Sequence, residues 1–327
     1  MIPATAASGS SGPVHPGALH GATRLEPSPE SSTASGTGGA TVILSLTTLP
    51  SRVALLRPTL ESLLAQTHPP SEICVCVPRF SVRERTAYEL PSFLSPPFDP
   101  RISVLAVEQD FGPGTKLVGA ASRVRDGDVI IAVDDDHAYR DFFVETLVRA
   151  QRGDPGAAHS FFTYPFHGLV VGQGADGIAV RGRHLRGMEV FYAEVCAAGN
   201  ARLADDYWIS FFLARQGVPI RSVAGELRAR RLEKVYQQVH SVNALVDAVG
   251  AESRTDVMLE AERACFSRGC PTLAMRVRRA LAVAFDLAMG AVKKVGRPVK
   301  RRLEALAAQA GTRHHRRRAP GARRLRP

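Results

Sequence analysis

The chain has 327 residues, 45% of them hydrophobic and 22% charged, enough to bury one large core or two modest ones. No stretch reaches the roughly 18 unbroken apolar residues of a membrane-spanning helix, and no basic segment followed by an apolar run opens the chain as a secretory signal would. The formal charge of +11 is a local property: residues 293–327 hold thirteen Lys or Arg against one acid, Glu304, a net +12 that leaves the preceding 292 residues at −1.

Residues 1–40 are rich in Ser, Gly, Ala, Pro and Thr and read as a disordered segment, because so few large apolar side chains cannot offset the entropy of ordering. Order is expected from Thr41, where Thr41–Thr47 has a strand pattern closed by Pro50. Leu55, Leu56, Leu60, Leu63 and Leu64 then form one helical stripe, ended by His68-Pro69-Pro70. Ile73–Val77 is a second strand, polar residues 81–90 suggest a short helix, and four prolines between 91 and 100 make a loop. Ile102–Val107 is a third strand. Asp110-Phe111-Gly112-Pro113-Gly114 then turns the chain into a helix expected from Thr115 to Val124.

The fourth strand, Val129–Val133, is wholly apolar and runs straight into Asp134-Asp135-Asp136-His137. Such a strand suits a sheet buried on both faces. Like charges this close repel, and each is costly to desolvate alone, so three acids at the end of a buried strand point to a bound cation, Mg²⁺ or Mn²⁺. A solvated acidic turn is the plain alternative. Four strands alternating with helices over about 95 residues imply right-handed crossovers and a doubly wound, mostly parallel α/β sheet. Ligands of such sheets sit beyond the carboxyl ends of the strands, which gathers Thr47–Arg52, Asp110–Lys116 and Asp134–Asp136 at one rim.

Beyond the acids, Phe142, Phe143, Leu147 and Val148 give a helix. His159–Phe166, Gly168–Val171 and Ile178–Val180 are read as strands around a glycine-rich loop, 172–177. Asp205-Asp206-Tyr207-Trp208 opens a further helix with its acids at the favourable end. From 231 onward the pattern is read as helical. Residues 271–310 are expected to form a basic, amphipathic helical extension and 311–327 a disordered Arg-rich tail. Five cysteines cannot all pair. Cys74 and Cys76 read as core residues, Cys265 and Cys270 leave a local disulfide open, and a reducing, cytoplasmic setting is the default.

Several of these stretches resemble glycosyltransferases of the GT-A, Rossmann-like fold, especially family-2-like enzymes. They are the opening strand with its Thr/Pro loop, Thr59–Ile73 (TLESLLAQTHPPSEI), Asp110–Leu117, Asp134–Asp136 and Asp205–Trp208, in that order across 41–222. The resemblance implies a transferase domain at 41–270 that moves a sugar from a nucleotide-diphosphate donor to a hydroxyl acceptor with Mn²⁺ or Mg²⁺. It implies Asp136 and Asp134 on the metal, and Thr47, Thr48, Pro50, Asp110, Lys116, Asp134 and Asp135 around the donor. Asp206 becomes the general base, with Asp205 beside it. The usual base-recognising Asp after the second strand is replaced by Val77-Pro78-Arg79, leaving the nucleotide open. An Asp-x-Asp after an apolar strand also begins an aspartyl-phosphatase fold, but that motif sits on the first strand, and here three strand–helix units precede it.

Trp208 reads as core and His240 as a surface residue, although some relatives use a late histidine on the metal. The basic extension suits an anionic membrane surface through 272–310, while the lack of interleaved aromatic residues makes nucleic acid an unlikely partner. A non-catalytic protein that keeps this fold and acts through its tail is the alternative from another class.

Overall fold

The computed structural model describes residues 40–196, 199–244, 254–287 and 289. The segment expected to be disordered at the N-terminus (all but Ala40), the extension beyond 289 and the Arg-rich tail lie outside the described residues.

Strands β1 (Val42–Thr47), β2 (Glu72–Pro78), β3 (Ile102–Val107) and β4 (Val129–Ala132) are parallel. Each is short and apolar on both sides, so successive residues feed two separate cores. Ile43, Cys74, Cys76, Ile130 and Ala132 enter one, and Val42, Leu44, Leu46, Ile73, Val75, Val129 and Ile131 enter the other. Two short strands, β5 (His137–Tyr139) and β6 (Ala158–Ser160), follow the acids, then the hairpin β7 (Thr163–Phe166) and β8 (Leu169–Gly172). Strands β9 (Ile178–Arg181), β10 (Ile220–Ser222) and β11 (Tyr236–Gln238) complete the set. The main sheet has seven strands in the order β10-β6-β9-β4-β1-β2-β3. Strand β9 runs antiparallel to β4 and β6, because it is reached from the hairpin through a tight loop with no crossover helix to restore its direction.

Helices α1 (Arg57–Leu64) and α3 (Phe143–Gly153) cover one face of the sheet; α2 (Thr115–Val118), α4 (Met188–Val195) and α5 (Asp205–Arg215) cover the other. A short α6 (Gly225–Ala229) precedes β11, and α7 (Arg254–Arg268) packs beside α5. A last helix, α8, spans residues 273–287. The result is a doubly wound, mostly parallel sheet, with helices at its C-terminal end. No helix among the described residues is long and apolar enough to cross a membrane.

Four local readings are corrected. Residues 81–90 form no helix: a Ser81–Thr86 bridge closes a turn, Ser81 Oγ accepts the Glu84 N–H at 3.2 Å and Asp110 accepts the Val82 N–H at 2.8 Å. These long-range partners displace the helical i→i−4 bonds. The helix after Gly114 stops at Val118, and 121–123 continue as a 3₁₀ turn. At Gly119 a Cβ would meet Thr115 O at 2.7 Å and Val107 Cγ2 at 2.9 Å, so the chain there is pressed onto the sheet. Residues 231–244 are not helical, since β11 pairs antiparallel with β5 and sets Tyr236 edge to face against His137, ring centroids 4.0 Å apart. Helix α4 was not anticipated. It has no side-chain cap, but its buried Met188, Phe191, Tyr192 and Val195 recur at helical spacing. All five cysteines are free thiols, four buried and Cys270 exposed.

Candidate active site

The carboxyl ends of β1 and β4 open into a cleft of about 470 Å³. The register pairs Ser45 with Ala132, and Val133 N–H donates to Ser45 O at 3.0 Å, so the chain stays extended up to the acids. It then turns, and each of the three acids meets different surroundings.

Asp135 faces inward. Its carboxylate accepts from Thr48 Oγ1 and Arg52 Nη1, both at 2.7 Å, and its backbone carbonyl accepts from Thr59 Oγ1 at 2.9 Å. Burial raises its pKa despite the Arg52 charge. Asp134 accepts from Lys116 Nζ at 2.7 Å, while its N–H donates to the Tyr139 hydroxyl at 2.9 Å. That hydroxyl donates in turn to Ala175 O at 3.2 Å, tying the acidic turn to the glycine-rich loop. Asp136 lies 2.7 Å from His137 Nδ1 and 3.8 Å from Arg52 Nη1. Burial alone would raise its pKa, but His137, Arg52 and His240 outweigh it and hold the carboxyl below its ordinary value.

Opposite the turn, α5 begins with Asp205 and Asp206. Lys116 Nζ is buried between the two sides, 2.7 Å from Asp134 and 3.0 Å from Asp205. Burial opposes its charge, yet the surrounding acids keep it protonated well above the ordinary lysine range. Asp206 takes the Gly174 N–H at 2.7 Å and stands 3.7 Å from Arg254 Nη2. Burial, then the neighbouring Asp205 charge, push its pKa up to about 7. Gly174 has no room for a side chain: a Cβ would sit 2.9 Å from Lys116 Nζ and 3.0 Å from Asp206 Oδ1.

Six acids and five basic residues line the cleft, but at the acidic turn itself three carboxylates, Asp134, Asp135 and Asp136, meet only two cations, Arg52 and Lys116. The remaining negative charge favours a cation. Asp134, Asp136 and His137 each offer one ligand atom, all within 4.8 Å of one another. A further observation fits a metal: both ring nitrogens of His240 are buried without a hydrogen-bond partner. Buried polar atoms are seldom left so, and imidazole beside carboxylate suits Mn²⁺ or a similar divalent ion.

Among the residues expected from the sequence, Thr47, Thr48, Asp110, Lys116, Asp134, Asp135, Asp136, Asp205 and Asp206 line this cleft; Pro50 does not. Several are already engaged. Thr47 donates to Cys76 O at 2.8 Å, and Asp110 accepts the N–H groups of Gly112 and Val82 at 2.7 and 2.8 Å, holding its own loop together. Lys116, expected around the donor, is committed to two carboxylates. His240 is not a surface residue: Val239 N–H donates to Asp136 O at 2.8 Å and draws the following histidine to the acidic turn. Trp208 is fully buried, as expected, and its ring fills the space a side chain at Gly114 would take. Sequence reasoning missed His137 as a ligand, although it directly follows the acids, and Arg52, whose role emerges only when 190 residues of chain return Val242 O to its Nε at 2.6 Å.

Residues 51–192 match the family model described as glycosyl transferase family 2, a span that includes the acidic turn and ends before Asp205. Among solved structures the chain is similar to a mannosyltransferase from Pyrobaculum calidifontis in complex with GDP-Man and Mn²⁺, at 14% identity over 77% of this chain and 81% of that one, TM-score 0.44. It is also similar to GalNAc-T7 with UDP, GalNAc and Mn²⁺, at 11% identity over 57% and 42%, TM-score 0.42. No curated protein sequence matches it.

Proposed function

We propose that residues 41–270 form a metal-dependent glycosyltransferase domain that moves a sugar from a nucleotide-diphosphate donor to a hydroxyl acceptor. The observation that carries this reading is the convergence of Asp134, Asp136 and His137, whose ligand atoms lie within 4.8 Å of one another, beside the two buried ring nitrogens of His240 without hydrogen-bond partners. Asp134, Asp136 and His137 would hold the cation, with His240 against Asp136. A bound divalent ion supplies charge neutralisation for the departing diphosphate without any proton transfer.

The chain's own residues do the rest. Arg52 and Thr48 lock Asp135, which fixes the turn that presents Asp134 and Asp136. Lys116 holds Asp134 and Asp205 together across the cleft. That leaves Asp206, oriented by Gly174 N–H, as the acid with the raised pKa a general base needs, positioned to take the acceptor hydroxyl proton.

Calorimetric titration of nucleoside diphosphates with and without Mn²⁺ tests the reading. Tight binding in wild type should require the ion, and Asp136→Ala should abolish that requirement together with the affinity while the far-ultraviolet dichroism stays unchanged. Equal affinity in both proteins with and without Mn²⁺ would refute the metal assignment.

A further inference from the structure

Helix α8 is the outermost helix described, and its outward side is the wrong polarity for water. Thr272 starts it: its hydroxyl accepts the Met275 N–H at 3.3 Å. At about 100° per residue, Met275, Arg279, Ala282 and Val283 fall on one side of the helix. These are its half-buried positions. Met275 packs on the core and Arg279 Nε donates to the buried Glu262 at 2.7 Å. On the opposite side lie Leu273, Val277, Leu281 and Phe285, which are 78%, 49%, 67% and 65% exposed. Exposed Ala280 and Ala284 share that side, and Arg276 and Arg278 flank it. A solvated surface helix has the reverse arrangement, with its polar face outward.

We propose that this outward face of α8 is a docking surface for an anionic lipid membrane. The charge around it selects the occupant. A second copy of this chain meeting the same face would set Arg276 and Arg278 against their own equivalents. The chain's own residues 293–327 would bring thirteen further Lys or Arg and a single acid onto an already basic rim. An anionic bilayer answers both features at once, since acyl chains receive the apolar stripe while headgroups meet the arginines and the basic stretch that follows. Among the described residues no helix is long and apolar enough to cross a membrane, so α8 would lie on such a surface. This inference is independent of the transferase reading.

The test uses the full chain and the variant Leu281→Gln/Phe285→Gln, which removes apolar area, adds no charge and alters two exposed positions distant from the cleft lining. Cosedimentation with vesicles of phosphatidylcholine, with or without phosphatidylglycerol, is measured at low and high salt, alongside light scattering of the free protein. Wild type should pellet with phosphatidylglycerol vesicles and the variant about tenfold less or lower, at an unchanged melting temperature. Equal pelleting of both proteins would assign any binding to the basic tail alone and overturn the proposal. So would failure of wild type to pellet, or a wild-type dimer that the variant abolishes, which would make a second copy the occupant.

Discussion

Lys116→Met isolates the electrostatic keystone of the cleft. The lysine is 3% exposed and its ammonium touches Asp134 at 2.7 Å and Asp205 at 3.0 Å. At an effective dielectric near 20, each contact is worth about 6 kcal/mol of gross attraction, and desolvation of the ions cancels most of it. Removing one partner does not reverse that cancellation, because the acids stay buried, so a loss of about 3–5 kcal/mol is expected at neutral pH. The pH dependence tests the cause. Without the lysine, Asp206 and the carboxylates around it repel one another uncompensated, so the folded variant holds protons that the unfolded chain releases and loses stability as pH rises. The wild-type lysine remains charged throughout. The difference between the proteins should therefore be small near pH 4 and grow toward pH 7, as measured by urea denaturation at a series of pH values. A gap that is the same at both ends, or below about 1 kcal/mol at pH 7, would mean the methionine merely repacks the site and the charge argument is wrong.

Asp206→Asn keeps the side-chain shape and removes its proton-accepting capacity, so transfer should fall by about 10²–10⁴-fold while nucleoside diphosphate affinity barely changes. In wild type the kcat/KM profile should rise with pH through the raised pKa of Asp206, about 7, since only the ionised form accepts a proton; the asparagine variant should lose that limb. Gly174→Ala places a methyl 2.9 Å from Lys116 Nζ, so the loop must move and take its N–H away from Asp206. Calorimetric melting should show a loss of about 1–3 kcal/mol, with turnover falling further than stability accounts for.

The parallel half of the sheet was legible because its strands are apolar on both faces and its helices carry leucine stripes, patterns set by local sequence alone. The carboxyl-end rule then located the cleft from Thr47, Asp110 and Asp134 before any contact was known. What could not be read depends on distant chain segments. Residues 231–244 lack helical bonds because β11 finds β5, nearly a hundred residues earlier, and that pairing also brings His240 to Asp136. Lys116 illustrates the same limit: a lysine after two glycines suggests an anion site, and only the approach of α5 shows that two carboxylates already claim it.

That commitment changes how the cleft must treat a diphosphate. Of the six acids that line it, Asp110 binds its own loop, Asp135 is neutralised by Arg52, and Asp134 and Asp205 share Lys116, which leaves Asp136 and Asp206 without a full counter-charge. An incoming diphosphate would meet this residual negative field with no uncommitted lysine to offset it. Arg52 cannot turn to the task, because Asp135 holds its Nη1 and the carbonyls of Val242 and Asn243 hold its Nε and Nη2. Arg52 and Lys116, buried inside the cleft, thus build the site, and the charge of a diphosphate would be met by a bound cation together with Arg202 and Arg254, which also line it. A divalent ion held by Asp134, Asp136 and His137 would supply positive charge where the acids converge. Donor affinity should then follow the cation concentration, and the buried Arg52 and Lys116 should govern stability.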